Sequence, residues 1–530
     1  MTHSQTLALQ APGRAFLNLF DKHVTGKALW SVLALALAVL CAASASMQMS
    51  FNLLLFSAAA LALLAALSHS LQAASLFGLF FFCVKPVFWR LAYHLDSGAG
   101  TFPAVDLLRY SGGLFLGLIC VAVIVKRIVE RRPFIHTKLD MTLAAFILIA
   151  AASVFNPHTS LFLGMAGIER NIFPTLFLFF VGREVIQTER DYQRFIKIVT
   201  IFAIAALVYG LKHSLSGLWG FEQTYFADKY YASGLDGWLT IGIKGIEFRT
   251  FGVFFGYMEF TFTAALWGTL LLSHDYSRMG KAWRIAKWVI GALLAALLVS
   301  SLERTPMLMI TFGLLAAWYV KSAKPRRKKI LIGSAAVISA IIVATTLFHR
   351  QLEESGITKL QRLAEIADPA SASSIQDRVD RMWKPTFRII AANPLGVGSG
   401  YGSGTVASAS AQGSQFAVQP HNEFMQKALE YGWLGAALFA LALLLMFRLL
   451  LKSTGWTDNK VLINAAAGGC GILVAFILCG QVNLPFSGAS GCFFWFTTGA
   501  IVSLTDRNSA KIDSHESFTH TDVNHEGSDG

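Results

Sequence analysis

Charge is scarce in this chain. Asp, Glu, Lys and Arg make up 14% of its 530 residues, against about 25% in a soluble domain. With 55% apolar residues and a mean hydropathy of +0.54, too few side chains remain to keep a surface wet, which excludes a string of soluble domains. Cysteine is also sparse. Cys41, Cys83, Cys120, Cys470, Cys479 and Cys492 all lie in apolar runs and none forms a CxxC pair, which argues against a disulfide framework or a zinc site. The glycine-rich run "NPLGVGSGYGSG" lacks the Walker lysine and a preceding strand. It therefore reads as a flexible loop that returns the chain to the membrane.

What is abundant is long apolar sequence. A bilayer span needs about 20 mostly apolar residues, and candidates lie near 28–48, 51–67, 71–92, 107–125, 139–156, 170–182 and 196–211. Others lie near 253–273, 284–301, 307–320, 330–348, 431–451, 461–480 and 485–504. The reading is an all-α polytopic bundle of about fourteen spans, or twelve to thirteen if the short second or sixth run is re-entrant or merged. Basic clusters mark every second connection: Lys126 to Arg132, Arg183 to Lys197, Arg278 to Lys287, Lys321 to Lys329, and Arg448 to Lys460. Lys and Arg concentrate in cytoplasmic loops, so the net charge of +13 is mainly topological and no nucleic-acid partner is expected.

Both termini then face the cytoplasm. Residues 1–27 form a cytoplasmic segment and 28–348 a transmembrane bundle with an outer loop near 212–252. A large outer loop, partly helical, covers 349–430; C-terminal spans cover 431–504, and 505–530 is a polar tail expected to be disordered. In the large loop Arg378, Arg381 and Arg388 are three, seven and ten residues apart, on or near one helical face. Guanidinium offers paired donors that match phosphate oxygens, so a cationic face there can clamp a diphosphate or an acidic sugar, or serve as a solvated surface. Farther on, His421 and Asn422 follow Pro420 just before a helix that enters the next span. A helix start exposes free N–H groups, and imidazole is the side chain suited to proton transfer near neutrality. Arg249, Arg304 and Arg170 each stand where a span meets the outside, a costly depth for an ion that is neither paired nor functional.

Four motifs, in the order "FRTFG", "SLERTPML", "RMWKPTFRIIAANPLGVGSGYG" and "PHNEFMQKALEYGWLG", resemble the O-antigen ligase and Wzy-type polysaccharide polymerase superfamily of membrane glycosyltransferases. The last is the most specific, with His421 and Asn422 followed after nine residues by Gly432 and then by Gly435. The resemblance spans about residues 249–451. It implies a GT-C-like fold in the bacterial inner membrane and a polyprenyl (undecaprenyl) diphosphate-linked oligosaccharide as donor at the periplasmic face, with no metal or other cofactor.

By the same resemblance His421 is the base for the acceptor hydroxyl, and Arg304 and Arg249 hold the departing diphosphate. Arg381 assists, and Arg378, Arg388, Arg170 and Asn422 are further substrate-binding candidates. The acceptor is a growing glycan for a polymerase of O-antigen or exopolysaccharide, with a chain-length regulator as a partner, or lipid A core for a ligase. The spacing of the histidine motif favours a ligase; the large loop and the extra spans favour a polymerase, the preferred reading. The rival of another class is a lipid-linked glycan transporter or flippase. It predicts charges deep along a path and paired broken helices, whereas the candidates here cluster at one face and no internal repeat is visible.

Overall fold

The structure is a computed structural model. It describes residues 51–98, 107–226, 250–254, 256–300, 304–322, 324–348, 351, 376, 378–401, 418–455 and 459–522. Among these residues the regular structure is entirely helical, with sixteen α-helices and no strand. Six helices are long and apolar enough to cross a membrane: Leu71–Leu95, Ser111–Val129, Lys138–Phe155, Glu189–Ser216, Glu423–Ser453 and Lys460–Gly480. Leu55–Leu67 and Thr305–Lys321 are shorter apolar helices of the same kind. The protein is a multi-pass helical membrane protein; the first expected span, 28–48, lies outside the described residues. The chain divides into two compact units, Met1–Phe134 with Ala205–Phe260, and Ile135–Ile204 with Thr261–Gly530.

In the first unit α1 (Phe51–His69), α2 (Leu71–Gly98) and α3 (Leu107–Val129) pack on one another, and α8 (Gly220–Phe226) packs on α2. The core of this unit holds charge. Arg90 of α2 and Glu222 of α8 are 1% and 0% exposed and meet at 2.9 Å. Glu222 also accepts from Tyr209 Oη at 3.1 Å and from the Trp219 amide at 3.1 Å, and pairs with His213 Nε2 at 2.7 Å. Arg90 donates its other arm to the Phe254 carbonyl and lies against the rings of Phe251 and Phe226, at 4.5 and 5.5 Å. A buried ion pair persists when its remaining donors and acceptors are met, and here almost all of them are. Lys85, deep in α2, lies 5.0 Å from the Phe82 ring centre, so its stem and charge are accommodated by an aromatic neighbour.

The second unit opens with α4 (Lys138–Ala152), whose start is fixed by a capping box between Thr137 and Asp140. The expected sixth span, 170–182, is a correction: the backbone breaks into α5 (Leu161–Asn171) and α6 (Leu178–Val185). Pro174 stands in the break, where it has no N–H to continue the ladder. At 1.5 Å per residue neither piece covers a core about 30 Å thick. After α7 (Glu189–Ser216), α9 (Tyr257–Ser273), α10 (Lys281–Ser300), α11 (Arg304–Lys321) and α12 (Lys324–Leu347) follow, and later α13 (Lys384–Ala392), α14 (Glu423–Ser453), α15 (Lys460–Gly480) and α16 (Gly488–Asp522).

Helix α14 packs on α4, α6 on α16, and α11 on α15. The last pair is close because a Cβ on Gly471 would lie 2.4 Å from the Gly313 carbonyl oxygen, so small residues let the two backbones meet. Phe439, Phe476, Phe486, Phe494 and Trp495 interlock edge to face around the ends of α14, α15 and α16. The tail expected from residue 505 departs from that reading, because α16 runs on to Asp522. Thr505 is buried and Asp506 bonds Arg183 at 2.7 Å, with Arg183 also paired to the buried Asp140. These anchors carry the helix past the point where its composition turns polar.

Candidate functional site

The second unit places His421 at a built position. Trp383 Nε1 donates to the Pro420 carbonyl at 2.9 Å. On the other side Asn422 caps α14, its Oδ1 accepting from the Met425 amide at 3.0 Å while its Nδ2 donates to the Gln481 carbonyl at 2.9 Å. Between these clamps His421 holds φ +46°, a left-handed conformation that costs a non-glycine residue on the order of 1 kcal/mol. The imidazole is half-buried and makes no hydrogen bond to another described residue. Asn422 is thus a helix cap first, and its buried amide ties the start of α14 to the turn after α15.

Below the histidine, α14 begins with charges that hydropathy alone would place in water. Glu423 and Lys427 are 0% and 3% exposed and pair at 2.8 Å, one helical turn apart. Glu423 also accepts from the Phe486 amide at 3.4 Å. Glu430, fully buried, accepts from the Gly400 amide at 3.2 Å. This corrects the expectation of a flexible glycine loop. Val397 and Gly398 donate to the carbonyls of Leu429 and Glu430, at 2.8 and 3.2 Å, and Asn156 Nδ2 donates to the Gly396 carbonyl at 3.0 Å. Residues 396–400 are all buried. The glycines are needed because the chain turns through positive φ at Gly396, Gly398 and Gly400. Gly432 answers them from α14: at φ +72° it lets Trp433 donate to the Pro394 carbonyl at 3.1 Å, where a Cβ would strike that oxygen at 2.5 Å.

The arginines divide by environment. Arg378 opens a π-helical turn, Arg378–Trp383, that precedes α13. The wider turn breaks the single cationic face expected for Arg378, Arg381 and Arg388: Arg378 is half-buried, whereas Arg381 and Arg388 are exposed. Burial and then the positive charge of Arg378 push the His421 pKa down to about 4, so the ring is a neutral free base at pH 7. Arg304 is the first residue of α11, with its side chain outside the described residues. Its neighbour Thr305 accepts from Asn483 Nδ2 at 3.4 Å. The turn after α15 therefore holds Asn422 through Gln481 and the start of α11 through Asn483, which brings the backbone of Arg304 and the His421 loop to one short turn. Arg249 lies outside the described residues, and Arg170 is in α5 with its side chain likewise outside them.

Sequence reading missed Trp383, Gln481, Asn483, Glu423 and Glu430. Trp383 lay inside a quoted motif, and its indole N–H needs a partner when half-buried, which was a usable signal. Gln481 acts through its main-chain carbonyl and carried none.

Residues 289–440 match the family model described as O-antigen ligase. That stretch contains Arg304, Arg378, Arg381, Arg388, His421 and Asn422 and leaves out Arg249 and Arg170. Over that stretch the chain is similar to the O-antigen ligase family, which agrees with the resemblance read from the ordered motifs and supports a membrane glycan-transferring enzyme of the ligase and Wzy kind. No curated protein matches the chain.

Proposed function

We propose that this protein transfers a glycan from a polyprenyl diphosphate carrier to a sugar hydroxyl at the periplasmic face of the bacterial inner membrane, without a metal and with inversion at the anomeric carbon. The observation that carries the proposal is the clamped, left-handed His421 beside Arg378, one turn of chain from the start of the Arg304 helix. The donor already carries its leaving group. The protein must then offset charge developing on the diphosphate and remove one proton from the acceptor. Arginines do the first, with Arg304 and Arg249 as the diphosphate clamp and Arg378 nearest the base; neutral His421 does the second. A bound diphosphate would cancel the charge of Arg378 and make the imidazole more basic in the loaded site, because a nearby anion favours the protonated ring.

The acceptor we favour is the next lipid-linked repeat unit, which makes the enzyme a polymerase of O-antigen or exopolysaccharide that works with a chain-length regulator. The ligase reading, with lipid A core as acceptor, is favoured by the description of the matched family model and by the His421, Asn422, Gly432 spacing. Purified protein incubated with lipid-linked repeat units, alone and with lipid A core, separates them by product size. A ladder of lengthening glycans without core supports the polymerase. A single transfer that requires core supports the ligase, and no product in detergent from either would remove the transferase proposal in favour of transport.

A further inference from the structure

Away from His421, the second unit has a small crevice lined by Gln193 of α7, His274, Asp275 and Arg278 of the turn after α9, and Lys460 and Asn464 of α15. Its enclosed space, about 10 Å³, takes a single oxygen-sized group, so an anion would seat one oxygen there and otherwise stand at the mouth. Two polar groups at its wall are more than nine-tenths buried and unmatched. His274 is 3% and Asn464 4% exposed, and His274 Nδ1 and Asn464 Oδ1 have no hydrogen-bond partner among the described residues. Buried polar atoms left open in this way call for a ligand or ordered water.

The charges around the crevice select the ligand. Lys287 donates to the His274 carbonyl at 2.9 Å and Lys321 to the Ser273 carbonyl at 3.4 Å, so both cap the end of α9. Asp275 is held by its own turn, its Oδ1 accepting from the Ser277 amide at 2.9 Å, and Glu189 is bonded to Asn459 Nδ2. Both carboxylates are thereby committed. Arg278 and Lys460 are exposed cations with no ion pair to another described residue, and Lys460 stands in the first turn of α15, where the helix dipole also favours an anion. On α10 the cation Lys287 is followed by Trp288, 78% exposed, with Ile285 53% exposed on the preceding turn. Basic and aromatic residues alternate in this way at the headgroup level of a bilayer.

We infer that this crevice is a binding site for a phosphate anion at the membrane surface, with Arg278 and Lys460 as its cations and the His274 imidazole and Asn464 amide as its hydrogen-bonding wall. The Asn464 amide can present its NH2 group by rotating about χ2, and His274 donates from its open Nδ1 in the Nδ1–H tautomer, which a bound anion would favour. The phosphate can belong to an anionic lipid or be free in solution, and the site does not depend on the transferase reading.

The test uses the full-length protein in detergent micelles and native mass spectrometry, with phosphatidylglycerol, phosphatidylcholine and inorganic phosphate as separate probes. The expected result is one saturable phosphatidylglycerol per chain, preferred over phosphatidylcholine. Affinity should fall about tenfold or more in the Arg278→Gln/Lys460→Gln double variant and severalfold in Asn464→Leu, which changes no charge. The Lys281→Gln/Arg284→Gln double variant, on the same face outside the crevice, should lose less. Displacement of the lipid by millimolar inorganic phosphate would identify a free-anion site, and failure to displace it a headgroup site; both support the inference. No saturable uptake of either probe would overturn it, as would equal losses in the two double variants with Asn464→Leu unchanged.

Discussion

The two units treat a histidine withdrawn from water in different ways. In the first, His213 is one member of a connected set: its Nε2 pairs with Glu222, which also meets Arg90, Tyr209 and a backbone amide, while Arg90 lies against two rings and is bonded to a carbonyl. In the second, His421 makes no hydrogen bond to another described residue, its backbone is forced into positive φ, and the nearest charge named for it is of the wrong sign to hold a proton there. The first arrangement meets its charged groups from within and leaves the His213 Nδ1 as its open atom among the described residues. The second is kept in place by partners of its neighbours, Trp383 on Pro420 and Gln481 on Asn422. Side chains that satisfy one another build a fold, whereas one that is oriented but unsatisfied is available to a substrate.

The largest expected effect tests the second half of that contrast. Replacing His421 by Ala removes the proposed base without disturbing the clamps, which act on main-chain atoms of Pro420 and on Asn422. Glycan transfer should fall by about 10² to 10⁴ while the melting temperature and membrane insertion stay near wild type. Near-normal turnover would show that the open histidine is only a loop residue. The pH profile sharpens the same point. Because the folded pKa lies near 4, below the ordinary 6.5, the free-base form is full above about pH 5 and is lost as pH falls toward 4. The acid limb of kcat/KM should therefore fall near pH 4 to 5; a limb at 6.5 would contradict the environment described for the ring.

The first half breaks next. Glu222→Ala leaves Arg90 buried and uncompensated, which costs about 3–5 kcal/mol and should appear as a lowered melting temperature and poor yield. Arg90→Met combined with Glu222→Leu replaces the pair by apolar volume and should recover most of that loss. If the double variant is as unstable as the single one, the cluster does more than fill and neutralise the core of its unit.

The spans and the histidine motif were readable because both are local. An apolar run of span length declares itself within its own window, and Asn422 before Glu423 is an N-cap at the expected place. Three of the misreadings share one cause, partners remote in sequence. Charged Glu423, Lys427 and Glu430 depress the hydropathy of the first turns of α14, so the span reads as starting at 431, although Glu423 and Lys427 pair, Glu430 accepts from the Gly400 amide, and all three are buried. The glycine run reads as flexible because its fixers, Asn156, Thr159 and the backbone of His158, lie about 240 residues away. Glu222 lies 132 residues from Arg90, and neither residue type at its own position announces the other. The cationic face failed for a different reason: a π turn is invisible to a count of residues at 3.6 per turn.

That π turn also sets the smallest expected effect. Lys384 and Asp380 pair at 2.7 Å across one turn, but their side chains are 64% and 61% exposed, so water and salt screen the attraction. Lys384→Ala should change stability by no more than about 0.5 kcal/mol and leave glycan transfer within about twofold, as read by thermal melting and initial rates. Arg378, six residues earlier and half-buried beside His421, should be the sensitive cation of this segment. A loss in Lys384→Ala as large as that in Arg378→Gln would mean that the whole segment binds donor as a cationic strip, and burial would then no longer be the property that separates the working charges from the solvated ones.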